Sequence, residues 1–156
     1  MSIEVGALAP DFTLTDTNKA TVILSELKGQ NVVLLFFPFA FTSTCTAELC
    51  GVRDDIAQYQ NLNAKVFGIS IDTVFTLIKY KEDQNLNFDL LCDFNKEAGN
   101  AYGVLYESFA FGMKGVAKRS AFVIDKEGVI RYAEVLENAN ELPNLELVKA
   151  TLGTLN

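Results

Sequence analysis

Val32-Val33-Leu34-Leu35-Phe36-Phe37-Pro38-Phe39-Ala40-Phe41-Thr42-Ser43-Thr44-Cys45 is the stretch that decides the fold. Val32 to Phe37 is an unbroken apolar run, the pattern of a central strand covered on both faces. Pro38 ends it, because proline has no N–H to give to a ladder. A short turn of small hydroxyl residues follows, and from Cys45 the period changes. Leu49, Val52, Ile56 and Tyr59 recur at helical spacing, with Glu48, Arg53, Asp54, Asp55 and Gln58 left for the outer side. Strand, turn and helix in that order put a thiol at a helix N-terminus. Backbone N–H groups are unpaired there and carry partial positive charge, and both favour an anionic sulfur. A free cysteine has a pKa near ~8.5 and is only a few per cent thiolate at neutral pH. The sequence therefore predicts a sulfur that the fold itself helps to ionise, in the first turn of its helix and near solvent.

Elements to either side complete the pattern. Ala9 to Leu14 and Ala20 to Leu24 read as two short strands around the turn Asp16-Thr17-Asn18-Lys19, and Ser25 to Gly29 as one helical turn ended by glycine. Lys65 to Ile71 is a second apolar strand, and Asp72 or Thr73 can cap a helix carrying Val74, Leu77, Ile78 and Tyr80. Phe88 to Cys92 is a short strand, Asn95 to Tyr102 a short helix stopped by Gly103, and Glu107 to Gly115 an aperiodic loop. Ala121 to Asp125 and Val129 to Val135 are strands around the hairpin turn Lys126-Glu127-Gly128, and Leu145 to Leu152 is a closing helix with Pro143 near its start. The order is a β-hairpin, then β-α-β-α-β, then a second hairpin and a helix. It predicts one α/β domain over residues 1–156, with a central mixed sheet flanked by helices.

Composition narrows the chemistry. The chain has 156 residues, 49% apolar and 21% charged, in the ordinary range for a soluble globular protein. The longest apolar stretch, Val32 to Phe41, is about half of a membrane span, and Met1-Ser2-Ile3-Glu4-Val5 has no basic region or signal core. A cytoplasmic location with no membrane partner is the expectation. A net charge of −7 with dispersed Lys and Arg argues against nucleic acid and anionic lipid. Histidine is absent, which excludes a Cys–His or Ser–His pair and the histidine-bearing zinc sites. Cys45, Cys50 and Cys92 are too few, and odd in number, for a disulfide framework.

A reactive Cys45 needs a cation and positioned polar groups. Thr42, three residues ahead, can bring its hydroxyl to the sulfur or to a small ligand, and can also cap the helix. Pro38 shapes a rigid corner. Arginine suits the cation role, since it stays charged and holds two acceptors at once. Arg53 lies over two turns along the same helix, Arg131 reads as a hairpin residue facing solvent that could also support the site from behind, and Arg119 immediately precedes an apolar strand. Arg119 is thus the candidate to enter from a neighbouring sheet edge.

Pro38-x-x-x-Thr42-x-x-Cys45 resembles the active-site motif of peroxiredoxins, and Arg119-Ser120-Ala121-Phe122-Val123-Ile124-Asp125 resembles their arginine-bearing strand. Ala9-Pro10-Asp11-Phe12-Thr13-Leu14 is similar to the family's first hairpin. The resemblance implies a thioredoxin-like fold and a bacterial antioxidant enzyme that reduces hydroperoxides without metal, haem or flavin. It implies that Cys45 is the peroxidatic thiolate and becomes a sulfenic acid. Thr42 and Arg119 would hold the peroxide oxygens, Pro38 would shield the sulfur, and Glu48 would orient the arginine. Cys50, five residues on, matches the resolving cysteine of the bacterioferritin-comigratory (Q-type) branch. Five helical residues rise ~7.5 Å and turn ~140°, so the helix start must unwind, over roughly residues 42 to 52, before that bond can form. Phe39-Ala40-Phe41-Thr42 and Gly128 to Glu134 look more like the alkyl-hydroperoxide-reductase-E branch, where one essential cysteine works with an external thiol. Thioredoxin, glutaredoxin or a mycoredoxin-type protein is the implied reductant, and a monomer or a homodimer the implied assembly. Phe39, Phe41, Phe109 and Phe111 are candidates for an apolar mouth or a subunit contact, with Phe109 and Phe111 assigned to the contact. Cys92 reads as structural, with a disulfide role left open. Two other functions use the same cysteine: a non-catalytic redox sensor, and a thioredoxin-like disulfide reductase. The second normally needs C-x-x-C, and position 48 is Glu.

Overall fold

The structure is a computed structural model that describes residues 3–156. Met1 and Ser2, part of the N-terminus and of the 1–156 domain read above, lie outside the described residues. The strands are β1 Thr13–Asp16, β2 Thr21–Ile23, β3 Asn31–Phe36, β4 Ala64–Ser70, β5 Asp89–Cys92, β6 Ser120–Ile124 and β7 Ile130–Val135. The helices are α1 Ser43–Asp54, α2 Ile56–Asn61, α3 Val74–Gln84, α4 Glu97–Ala101 and α5 Leu145–Thr154. Short 3-10 turns occupy Leu24–Leu27 and Ala110–Gly112.

One seven-stranded sheet runs in the order β2-β1-β5-β4-β3-β6-β7. β3, β4 and β5 are parallel neighbours, as their helical crossovers require. β6 and β7 continue the sheet antiparallel beyond β3, and the β1–β2 hairpin continues it antiparallel beyond β5. Every residue of β3 is buried. Alternation sends Val33, Leu35 and Phe37 to one face, against α1, α3 and α5, and Val32, Leu34 and Phe36 to the other, against Phe12, Ala98 and Tyr102. The mixed sheet, its flanking helices and the N-terminal hairpin match the architecture expected from the sequence.

The helix expected to run from Cys45 past Tyr59 is divided. It stops at Asp54, and α2 begins after Asp55. Asn87 donates its side-chain amide to the Arg53 carbonyl, a group that a continuing helix uses, and Asp55 accepts from Gln58. Acidic side chains that bond locally favour such breaks.

Three features hold the corner between β3 and α1. The Phe37 N–H makes the last ladder bond, to Ile69 O, before Pro38. The Asp72 carboxylate accepts the Ala40 N–H at 2.8 Å and the Ser70 hydroxyl at 2.6 Å. Phe41 has φ 65°, a left-handed conformation that costs a non-glycine residue about 1–2 kcal/mol. Its ring packs on Tyr80 with centroids 4.9 Å apart, which offsets that strain. Thr73, rather than Asp72, caps α3 by accepting from the Thr76 N–H, so Asp72 is free to clamp the corner. Replacing Asp72 by Ala should cost about 1–3 kcal/mol, because the Ala40 N–H loses its partner. Urea denaturation should show the loss, and amide exchange at Ala40 should accelerate.

Candidate active site

Cys45 is the third residue of α1. The first backbone bond of the helix is Thr46 N–H to Thr42 O, so the N–H groups of residues 43–45 precede the ladder. Thr42 stands at the cap position but makes no side-chain cap bond. Its hydroxyl instead donates to Phe39 O at 2.8 Å, so the expected side-chain cap is absent. The helix start therefore keeps its free donors beside the sulfur.

The sulfur is not near solvent as expected from sequence: Cys45 is 1% exposed. Arg119, just ahead of β6, reaches it across the β3–β6 junction. Arg119 Nη2 donates to Cys45 Sγ at 3.2 Å, and Nη1 donates to Glu48 Oε1 at 2.7 Å. Nη2 and Nε also donate to the Ala139 carbonyl, at 3.0 and 3.3 Å. That carbonyl lies on the loop between β7 and α5. Burial alone disfavours the guanidinium charge, but Cys45 and Glu48 beside it outweigh burial and hold its pKa above the ordinary arginine value. Burial pushes the Glu48 carboxyl up to about 7, against the downward pull of Arg119, and the charge of Glu134 adds to the rise.

A cavity of about 140 Å³ opens onto the sulfur, lined by Pro38, Phe39, Thr42, Cys45, Phe109 and Arg119 together with Ala139 and Asn140. Phe109 packs on Phe39 at 6.2 Å and on Tyr106 at 5.0 Å, which makes it a wall of this cavity. Phe111 makes no such wall and is 98% exposed. A second cavity, of about 180 Å³ between Leu24, Val32, Ile124 and Gly128, holds no thiol.

Pro38, Thr42, Cys45, Glu48 and Arg119 thus converge, while two cysteines stay apart. Cys50 is on the same unbroken helix, half-buried, with its thiol directed to Gln84 Oε1 at 3.5 Å. Cys92 donates to Asp72 O at 3.2 Å from β5, two strands from β3 or about 10 Å across the sheet. Arg53 binds Asp54 and Gln84 O, and Arg131 binds Asp125, so neither enters the site. Sequence reasoning missed the Ala139 carbonyl and the Asp72 clamp. A main-chain acceptor leaves no mark in sequence, and Asp72 has the composition of an ordinary cap.

Comparison with known proteins bears on this constellation. Residues 5–133 match the AhpC/TSA family. The chain belongs to that family. As a member of AhpC/TSA it is a peroxiredoxin, a thiol-dependent peroxidase. Peroxiredoxin Bcp of Bacillus subtilis is 40% identical over 130 residues, covering 82% of each chain. Alkyl hydroperoxide reductase E of Mycobacterium tuberculosis is 39% identical over 136 residues, 85% of this chain and 86% of the relative. The crystal structure of peroxidoxin BcpB from Mycobacterium tuberculosis superposes with a TM-score of 0.86 at 29% identity, covering 99% of both chains. The fold is that of the thioredoxin-like peroxiredoxins.

The Glu48 geometry has a pH signature. The native state binds the Glu48 proton more tightly than the unfolded chain does, since the folded value is about 7 and the ordinary value 4.5. Its contribution to stability is full below about 4.5 and is lost as pH rises through about 7. Denaturation midpoints should fall across that window in the native protein, and Glu48→Gln should flatten the fall.

Proposed function

We propose that Cys45 is the peroxidatic thiol and that Arg119, Thr42, Pro38 and Glu48 serve it in the roles the motif implies. The observation that carries this reading is the buried contact of 3.2 Å between Arg119 Nη2 and Cys45 Sγ. A buried guanidinium that donates to a sulfur favours the thiolate, the reactive form. The substrate is a hydroperoxide, R–O–O–H, entering the cavity over Thr42. The Thr42 hydroxyl already donates to Phe39 O, which leaves its oxygen free to accept from the peroxide O–H. The thiolate attacks the terminal oxygen. The S–O bond forms, the O–O bond breaks, and the electron pair leaves on the second oxygen. Arg119 and the free N–H groups at the start of α1 face the charge that develops there. Pro38, buried at the corner, limits access of water. The Phe39 and Phe109 rings give the cavity an apolar side, and the relative named alkyl hydroperoxide reductase E supports organic hydroperoxides beside hydrogen peroxide as substrates.

Resolution of the sulfenic acid uses Cys50 or an external thiol. The start of α1 is suited to unwinding: it has no side-chain cap and no acidic residue in its first turn. Thioredoxin, glutaredoxin or a mycoredoxin-type protein then returns the enzyme to its thiol form. All three cysteines are unpaired, and a cytoplasmic, reducing compartment is part of this reading. Among the described residues no helix is long and apolar enough to cross a membrane. We extend the reading to one catalytic domain per chain and to a homodimer, with exposed Phe41 and Phe111 in the contact. Glu48 stands where a disulfide reductase would carry its second cysteine, which disfavours that alternative.

Cys45→Ser should abolish peroxide consumption. Arg119→Lys should lower kcat/KM by about 10²–10³-fold, because lysine cannot span the sulfur, Glu48 and the Ala139 carbonyl together. Retained activity in either variant overturns the assignment. Intact mass after one equivalent of peroxide distinguishes the two routes. Loss of two hydrogens in the native chain, replaced by a sulfenic product in Cys50→Ser, assigns resolution to Cys50. The same sulfenic product in both assigns the external thiol.

A further inference from the structure

Cys45, Glu48 and Arg119 form a buried cluster in which each residue is 1% exposed. A single guanidinium serves two acidic groups, Cys45 Sγ at 3.2 Å and Glu48 Oε1 at 2.7 Å. If both were ionised, one negative charge in this interior would be uncompensated, an arrangement whose desolvation cost is severe. The second Glu48 oxygen sharpens the point. Oε2 is buried and has no hydrogen-bond partner among the described residues. An orphan oxygen is expensive on a carboxylate and far less so on a neutral acid.

The groups around Glu48 add no second cation bonded to it. Glu134 of β7 contributes further negative charge. Tyr59 of α2 and Tyr80 of α3 face the same cluster, and burial raises both phenols, so they stay neutral. The chain has no histidine to carry a proton in their place.

We propose that Cys45 and Glu48 hold one negative charge between them: the sulfur is anionic while Glu48 is a carboxylic acid, and oxidation of the sulfur transfers the charge to Glu48 with release of its proton. The inference rests on Cys45 being the peroxidatic thiol. Its balance is complete. Cys45–S⁻ and R–O–O–H give Cys45–S–O–H and R–O⁻, the sulfur losing two electrons and the peroxide gaining them. R–O⁻ needs one proton to become R–O–H. Glu48 gives up one as the charge on the sulfur disappears, leaving Glu48–COO⁻ paired with Arg119. Net charge in the cluster is the same before and after, so the buried site is not asked to hold an extra charge at either stage. Glu48 does not line the cavity. It is a positioning residue that balances protons, acting through Arg119 rather than by touching the peroxide.

The test is proton counting. In a Cys50→Ser background, where oxidation stops at the sulfenic acid, a pH-indicator dye in weak buffer at about pH 6 reads proton uptake during one turnover. Addition of Glu48→Gln to that background should make uptake larger by one proton per sulfur oxidised. Equal uptake in the two proteins overturns the inference. An infrared difference spectrum of the Glu48-bearing protein covers the case in which Glu48→Gln misfolds. A carboxylic-acid C=O band should disappear and a carboxylate band appear on oxidation. A reduced protein without the acid band, or a band unchanged by peroxide, overturns the inference equally. Cys45→Ser separates the two levels of failure. If it still consumes peroxide, the assignment of Cys45 falls; if the native enzyme works and no carboxyl proton is lost, only the shared charge falls.

Discussion

The buried guanidinium of Arg119 is the interaction that ties together the cluster around Cys45. A cation withdrawn from water to 1% exposure carries a desolvation cost of several kcal/mol. It is tolerable here because its donors meet three acceptors in good geometry: the Cys45 sulfur, Glu48 Oε1 and the Ala139 carbonyl. The dependence is mutual. A buried guanidinium needs acceptors around it, and an acidic group beside one is favoured in its charged form. Loss of either side leaves an uncompensated group in the core.

Around that cluster the backbone is held tightly on one side and loosely on the other. Asp72 fastens the corner after β3 through Ala40, and the Phe41 ring is trapped on Tyr80. The first turn of α1, by contrast, has no side-chain cap and no acidic residue to favour its dipole. In the proposed function the two sides serve in turn: a held sulfur for attack on the peroxide, and a helix end that opens to meet a second thiol. A peroxidase that passes through a sulfenic acid needs both properties in turn, since a closed pocket protects the thiolate and an open one admits the resolving sulfur.

Much of this was legible in the sequence because it rests on side-chain type and spacing. The apolar run from Val32 to Phe37, the break at Pro38 and the helical period after Cys45 fix the corner, and the place of Arg119 just before an apolar strand marks it as the arginine to enter the site. Arg119 and Cys45 lie 74 residues apart, and only the antiparallel pairing of β3 with β6 brings them together. The remainder depended on three-dimensional facts with no residue signature. Burial of the sulfur follows from how the Phe109 and Ala139 loops fold over it. The division between α1 and α2 follows from Asn87, a side chain from a distant segment. Phe109 could not be told from Phe111 by composition, yet one is a cavity wall and the other projects into solvent.

The carbonyl of Ala139 has an evolutionary corollary. A main-chain oxygen is the same atom whatever side chain accompanies it, so the identity of residue 139 is nearly free to drift without disturbing the arginine. Length is another matter. One residue inserted or removed between β7 and α5 would swing that oxygen away from the guanidinium and put another group in its place. Selection should therefore read this loop as a ruler rather than as a word.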